Sequence, residues 1–120
     1  MTPIIWLMGL SGSGKTTLGS LLRLYLDGPG IDAEFIDADS FCRSKGMSTG
    51  TPQQRVRNTD ALRDHALNLQ ANGKVCVVAA ATPYEGMRQT NRELLPNYRE
   101  VWVRCSLQTL VQRDTKGLYA

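Results

Sequence analysis

The chain has 120 residues, 42% of them hydrophobic and 21% charged, with a formal net charge of +3. That supports one domain with one core and is too short for two. The cationic residues are scattered, so nucleic acid is not the expected partner, and small anionic substrates account for the charge equally well. No apolar run approaches the roughly 20 residues that span a bilayer, so no membrane partner is expected.

The N-terminal stretch MTPIIWLMGL lacks a basic n-region and runs straight into glycines, which argues against a signal peptide. IIWLMG (4–9) is short, continuous and apolar, which suits a strand buried on both faces. Residues 15–26 place Leu18, Leu21, Leu22 and Tyr25 at helical spacing, and DGPG (27–30) breaks the chain. AEFID (33–37) reads as a second strand, and the polar stretch 38–51 reads as a loop. Thr51 can cap the next helix, Pro52 fits its first turn and Gln54 completes a capping box. That helix is expected to run to Asn72, with Val56, Leu62, Ala66 and Leu69 on one face. Gly73 fits the left-handed position beyond its end.

KVCVVAAA (74–81) predicts a third strand, residues 85–95 a helix stopped by Pro96, and EVWVRC (100–105) a fourth strand, with Ser106 capping a short last helix. Strands alternating with helices imply an α/β fold with a parallel sheet of at least four strands, helices on both faces and right-handed crossovers. The cysteines Cys42, Cys76 and Cys105 form no CxxC pair. Cys76 and Cys105 fall in strand-like runs and read as small core residues, which suits a reducing cytoplasm.

GLSGSGKT (9–16) fits G-x-x-x-x-G-K-[ST] at every fixed position, with a strand before it and a helix after it. Gly9, Gly12 and Gly14 let the backbone wrap a phosphate with its N–H groups inward. The helix opening at Lys15 aims its positive end at the same anion. In this P-loop the expected ATP contacts are Gly9, Leu10, Ser11, Gly12, Ser13, Gly14, Lys15, Thr16 and Thr17. Lys15 reaches the terminal phosphates and Thr16 offers a hydroxyl to Mg²⁺. FIDAD (35–39) puts Asp37 and Asp39 at the C-terminal end of a strand, the edge that faces the ligand crevice in open α/β sheets. One acid can support the metal, a role assigned to Asp37; the other, Asp39, can orient an acceptor hydroxyl and take its proton.

GLSGSGKTTL, DAD, the helix bearing Arg55 and Asn58, ATPYEGMR and RDTKGLY occur in that order. Together they resemble the adenylylsulfate (APS) kinases, P-loop kinases that phosphorylate the 3′-hydroxyl of APS with MgATP. The resemblance implies that Asp37 and Asp39 stand for the acids of the family's DGD. It implies that Arg55 and Asn58 bind the acceptor nucleotide, and that Arg113 and Lys116 match the Arg and Lys of its RDPKGLY. Arg113 is then an ATP contact and Lys116 an acceptor contact. Thr82 takes the place of a serine in the family's ISPYR stretch that some members phosphorylate, and is assigned to the acceptor side. The chain departs from the family on that side. Ala38 replaces the glycine of DGD, and Cys42 stands where an arginine is expected, with Arg43 one residue later as the substitute. No aromatic aligns with the residue that stacks on the substrate base, and Asp60-Ala61 replaces an arginine pair. The resemblance also implies a flap, strand and helix beyond the last residue, so residues 1–120 read as one P-loop kinase-type domain without them.

Other candidates read as structural. His65 is expected to pack or face solvent, Arg88 and Arg92 to pair with Glu85 and Glu93 as readily as with phosphate, and Trp6 and Trp102 to lie in the core. Arg57 beside Arg55 suits a solvated helix face. The favoured function is phosphoryl transfer from ATP to a hydroxyl of a small nucleotide-like acceptor, APS first. Rivals are a kinase for another nucleotide conjugate, such as a cytidine-diphosphate derivative, or for a sugar, and a nucleotide-binding module without catalysis. A homodimer is left open.

Overall fold

The computed structural model describes residues 1–10, 12–48 and 50–104. In chain order these form β1 (Ile4–Met8), α1 (Lys15–Asp27), β2 (Ala33–Asp37), α2 (Ala38–Ser44), α3 (Pro52–Ala71), β3 (Val75–Ala79), α4 (Glu85–Leu94) and β4 (Tyr98–Trp102). The expected last helix at Ser106, and Cys105, Arg113 and Lys116, lie outside the described residues, as does Ser11. No helix among the described residues is long and apolar enough to cross a membrane.

The strands form one parallel sheet in the order β2-β3-β1-β4. Trp6 pairs with Val78 on one side and Glu100 on the other, which makes β1 a central strand. Period-2 alternation then splits its side chains between two cores. Ile4, Trp6 and Met8 pack with Cys76, Val78 and the α3 residues Leu62, Ala66 and Leu69. Leu7 packs with Val75 and Val77 on the other face, against Leu22 and Leu26 of α1. Helices therefore cover both faces, as the continuous apolar runs imply. Each fully buried aliphatic side chain contributes about 1.5–3 kcal/mol.

Local chemistry places the ends of α3 as expected. Thr51 Oγ1 accepts from Gln54 N at 3.1 Å, and Gln54 Oε1 accepts from Thr51 N at 3.0 Å, closing the capping box. At the other end Gly73 has φ +76°, Gly73 N donates to Gln70 O at 3.0 Å and Lys74 N to Leu69 O at 3.0 Å. That pair of bonds is the Schellman arrangement, and Gly73 supplies the left-handed residue it needs.

Five expectations are corrected. Residues 38–44 are helix α2, not loop. The Asp37 side chain caps it by accepting from Ser40 N at 3.1 Å, with Asp39 in its first turn and Arg43 in its last; the polar composition masked a complete set of helix-end signals. On α1 the buried stripe is Gly19, with Leu22 and Leu26 partly buried, while Leu21 and Tyr25 are 58% and 77% exposed. Gly19 rotates the helix, because the Phe35 ring of β2 lies where its Cβ would be. On α3, Val56 is 42% exposed while Leu62, Ala66 and Leu69 are buried as expected. Trp6 is fully buried, but Trp102 is 45% exposed, because β4 is an edge strand among the described residues; its ring takes the Arg88 guanidinium at 5.1 Å. The fourth strand spans 98–102 rather than 100–105.

Two predictions follow from this packing. Gly19→Ala forfeits the gain of about 1 kcal/mol that alanine brings to a helix and loses about 1–2 kcal/mol through overpacking against Phe35, measured by urea unfolding. Glu100 accepts from Arg92 at 2.8 Å, Tyr98 at 3.0 Å and Trp102 at 3.3 Å. Burial pushes its pKa up, but these donors outweigh burial and hold it below the ordinary value. A depressed folded pKa means stability that is full above the unfolded value and is lost as pH falls through the folded one. Glu100→Gln is therefore less stable near neutrality, and its stability falls less steeply than wild type below about pH 4.3.

Candidate functional site

The loops that leave β1 and β3 diverge: α1 carries the chain to one face of the sheet and α4 carries it to the other. The crevice between those loops is the topological switch point of an open α/β sheet. A cleft of about 1100 Å³ opens there.

Its first wall is the glycine loop. Gly9 has φ +149°, and a Cβ there would collide with the Val103 carbonyl oxygen, so the loop leaves β1 pressed against the chain that follows β4. Val103 N donates to Met8 O at 2.8 Å and fixes that contact. Gly14, with φ +103°, stands at the N-cap of α1 and brings no side-chain cap; the first turn holds no acid. No side chain caps the first turn of α1, so the positive end of the helix is open to an anion in the cleft. Lys15 Nζ folds over the loop and donates to Gly9 O at 2.8 Å and Leu10 O at 2.9 Å. Ser13 Oγ is buried without a hydrogen-bond partner among the described residues, and a buried donor in this loop fits an anion bound there. Gly12, Gly14, Lys15, Thr16 and Thr17 line the cleft.

Asp37 joins this wall to the next. Its Oδ2 accepts from Ser40 N and from Ser40 Oγ at 3.0 Å, capping α2, while Oδ1 accepts from Thr16 Oγ1 at 3.3 Å. One carboxylate therefore ties the first turn of α1 to the start of α2. Asp39 lines the cleft one residue into α2. Cys42, one turn on, also lines it; burial raises its thiol pKa, and Asp39 and Asp37 add to the effect, so it stays protonated. Arg43 is on α2, with Nη2 3.4 Å from Ser40 Oγ, and is not among the lining residues.

The third wall is α3 with the loop after β3. Arg55, Asn58, Thr59 and Leu62 face residues 79–83 and Met87. Arg55 Nη1 lies 3.4 Å from the Tyr84 hydroxyl. Asn58 donates to Ser48 O at 2.8 Å and braces the loop before α3. Thr82 lines the cleft, but its hydroxyl accepts from Trp6 and donates to Ala80 O. Arg57 is exposed, and His65 packs on the Phe41 ring at 5.4 Å. Arg88 pairs with Glu85, and Arg92 with Glu85 and Glu100, so both are spent on ion pairs. Glu93 meets Gln89 instead of an arginine. Three lining residues carried no assigned role in the sequence: Cys42, noted only as a departure from the family pattern, Thr59 and Met87. The helical register of α2 and α3 carries the first two, one turn from Asp39 and Arg55, whereas Met87 had no signal of its own.

Among the described residues no three His, Cys, Asp or Glu side chains converge on a metal position. Thr16 and Asp37 offer two hard oxygens 3.3 Å apart. That set fits Mg²⁺, which binds through few protein oxygens and completes its shell with phosphates and water.

The sequence profile described as adenylylsulphate kinase matches residues 1–120. The adenylyl-sulfate kinase of Paraburkholderia xenovorans is 36% identical over 98% of this chain and 66% of its own length. A Campylobacter jejuni protein named cytidine diphosphoramidate kinase is 34% identical over 97% of this chain and 68% of its own. The Mycobacterium tuberculosis APS kinase, solved with AMPPNP and APS, superposes with a TM-score of 0.87 at 28% identity, over 98% of this chain and 71% of that one. With a P-loop kinase fold and a profile match along its whole length, the chain belongs to the adenylylsulphate kinase family.

Proposed function

We propose that this chain transfers the γ-phosphoryl group of ATP to the 3′-hydroxyl of adenylylsulfate. The observation that carries the proposal is the convergence of three walls on one cleft: the glycine loop, the Asp37–Asp39 turn, and the Arg55–Asn58 face of α3. The likeness to an APS kinase solved with AMPPNP and APS supports both substrates. Residues 1–120 are read as one kinase-type domain, and the free thiols Cys42 and Cys76 agree with a reducing cytoplasm.

In this reading the loop amides of residues 9–14 and the first turn of α1, including Thr17, cradle the ATP phosphates. Lys15 exchanges its two carbonyl partners for phosphate oxygens. Thr16 and Asp37 hold Mg²⁺, which neutralises charge on the transferred phosphoryl when bound. Asp39 accepts a hydrogen bond from the acceptor hydroxyl, orients it toward the γ-phosphorus and takes its proton as the bond forms. Arg55 and Asn58 grip the acceptor nucleotide, and Arg43, which does not line the cleft, would reach it only by leaving Ser40. Arg113 and Lys116 retain the roles that the family pattern gives them. Most of the rate then comes from positioning and electrostatics.

A second reading keeps the chemistry and changes the acceptor. No aromatic side chain lines the cleft among the described residues, and Cys42 occupies the wall where the family pattern has an arginine. One relative of similar identity is named a cytidine diphosphoramidate kinase. A nucleotide conjugate with another base fits such a wall.

ADP formation from MgATP across a panel of APS, nucleoside mono- and diphosphates, cytidine-diphosphate conjugates and sugars tests both readings. Turnover with APS supports the first, turnover with another conjugate the second, and turnover with none contradicts the kinase reading. Asp39→Asn is expected to lower kcat by about 10²–10⁴-fold while MgATP still binds. Arg55→Ala is expected to raise the acceptor KM about 10–100-fold with the ATP KM unchanged. Unchanged kinetics in either variant would remove that residue from its role.

A further inference from the structure

Thr82 combines strain with an unusual number of restraints. Its φ is +49°, one of two positive values outside glycine among the described residues. That region is an outlier for a β-branched residue, and the following Pro83 narrows the choices further. Such a conformation persists only where the surroundings over-determine it, and such positions cluster at functional sites. Here the surroundings are specific. Trp6 Nε1 donates to Thr82 Oγ1 at 2.9 Å, Thr82 Oγ1 donates to Ala80 O at 3.0 Å, and Arg88 Nη1 donates to Thr82 O at 3.0 Å. Arg88 is itself held by Glu85 at 2.8 Å and by the face of Trp102. Trp6 is fully buried in the central strand, edge-on to Tyr98 at 6.4 Å.

We infer that the Trp6 indole N–H is a positioning group for the acceptor wall, locking Thr82 in its positive-φ conformation and so fixing the 80–84 loop. Thr82 is 4% exposed and spends both donor and acceptor capacity on this lock. The hydroxyl proton is therefore committed to the lock, and the buried side chain is closed to a modifying enzyme in this conformation. The next ring along the loop, Tyr84, meets Arg55, so the lock also sets where the guanidinium stands. The geometry has a further consequence. Trp6 lies three residues before Gly9, so β1 carries the anchor of the opposite wall and leads directly into the glycine loop. The spacing between donor and acceptor sites is then built on a single rigid element, as near-attack geometry requires.

The inference rests on the proposed phosphoryl transfer for what occupies the wall. The test uses Trp6→Phe, which keeps a ring and loses the N–H; Thr82→Val, which keeps the shape and loses the hydroxyl; Thr82→Ser; and the Trp6→Phe/Thr82→Val double variant. Kinetics are measured with MgATP and the acceptor that wild type turns over best. Trp6→Phe and Thr82→Val should each raise the acceptor KM about 5–20-fold, with the ATP KM within about 2-fold. Thr82→Ser should stay near wild type, and the double variant should lose less than the sum of the singles, since both remove the Trp6–Thr82 bond, Thr82→Val losing the bond to Ala80 O as well. Equal rises in both KM values, a failed serine rescue or additive losses would overturn the inference. Amide exchange supplies a readout independent of turnover. Residues 82–88 should exchange faster in both single variants and residues 15–27 should not; no change at 82–88 overturns the lock. Wild type without turnover on any acceptor would overturn the proposed function, whereas wild-type turnover with unmoved acceptor KM in the variants would overturn this inference alone.

Discussion

The constraint on which the rest depends is that β1 has no open edge and no open face. It pairs with β3 on one side and β4 on the other, and its side chains enter two cores. The chain can leave such a strand only at its end. There Gly9 must pass against the Val103 carbonyl, where no Cβ fits. The loop that results lines the crevice through Gly12 and Gly14 and opens α1 with no side-chain cap on its first amides. A conventional cap at position 14 would satisfy those amides locally and spend what an anion needs. The anion site follows from how the sheet's central strand is forced to end.

Asp37 shows how economically the second wall is attached. A buried or isolated carboxylate would be costly, but this one accepts three hydrogen bonds at the seam between α1 and α2. The same bonds cap α2 and so orient Asp39 into the cleft. The tie to Thr16, the capping of α2 and the placement of Asp39 are therefore coupled. Helix α3 is held differently, by hydrogen bonds that run to other elements, Asn58 to Ser48 and Arg63 to the fully buried Asn91. Arg63 also pairs with Asp60 at 2.7 Å, so Asp60 serves the packing of α3 on α4.

The strands, the glycine loop and the capping box of α3 were legible in the sequence because each is written in local chemistry. Apolar runs bounded by glycine, a phosphate-loop spacing, and Thr51 with Gln54 need no tertiary information. Helix α2 was missed because its residues are polar, and only the Asp37 cap, with Asp39 and Arg43 at the ends, marks it as helix. The stripe of α1 was misread because one glycine under Phe35 outweighed the leucine pattern. Trp102 was placed in the core because a tryptophan in a strand usually lies there, yet edge position is a property of strand order, which one sequence does not state. The glycine-loop side of the cleft was legible for the same local reason. Thr59, Met87 and the Trp6–Thr82 bond were not, since residues 76 positions apart meet only through the sheet.

The most direct measurement is the fate of ATP labelled at its γ-phosphate, incubated with adenylylsulfate and this chain. The account predicts label in a product phosphorylated on the ribose 3′-hydroxyl, abolished by Lys15→Ala. Label that appears only as free inorganic phosphate, or stays in ATP, would contradict it.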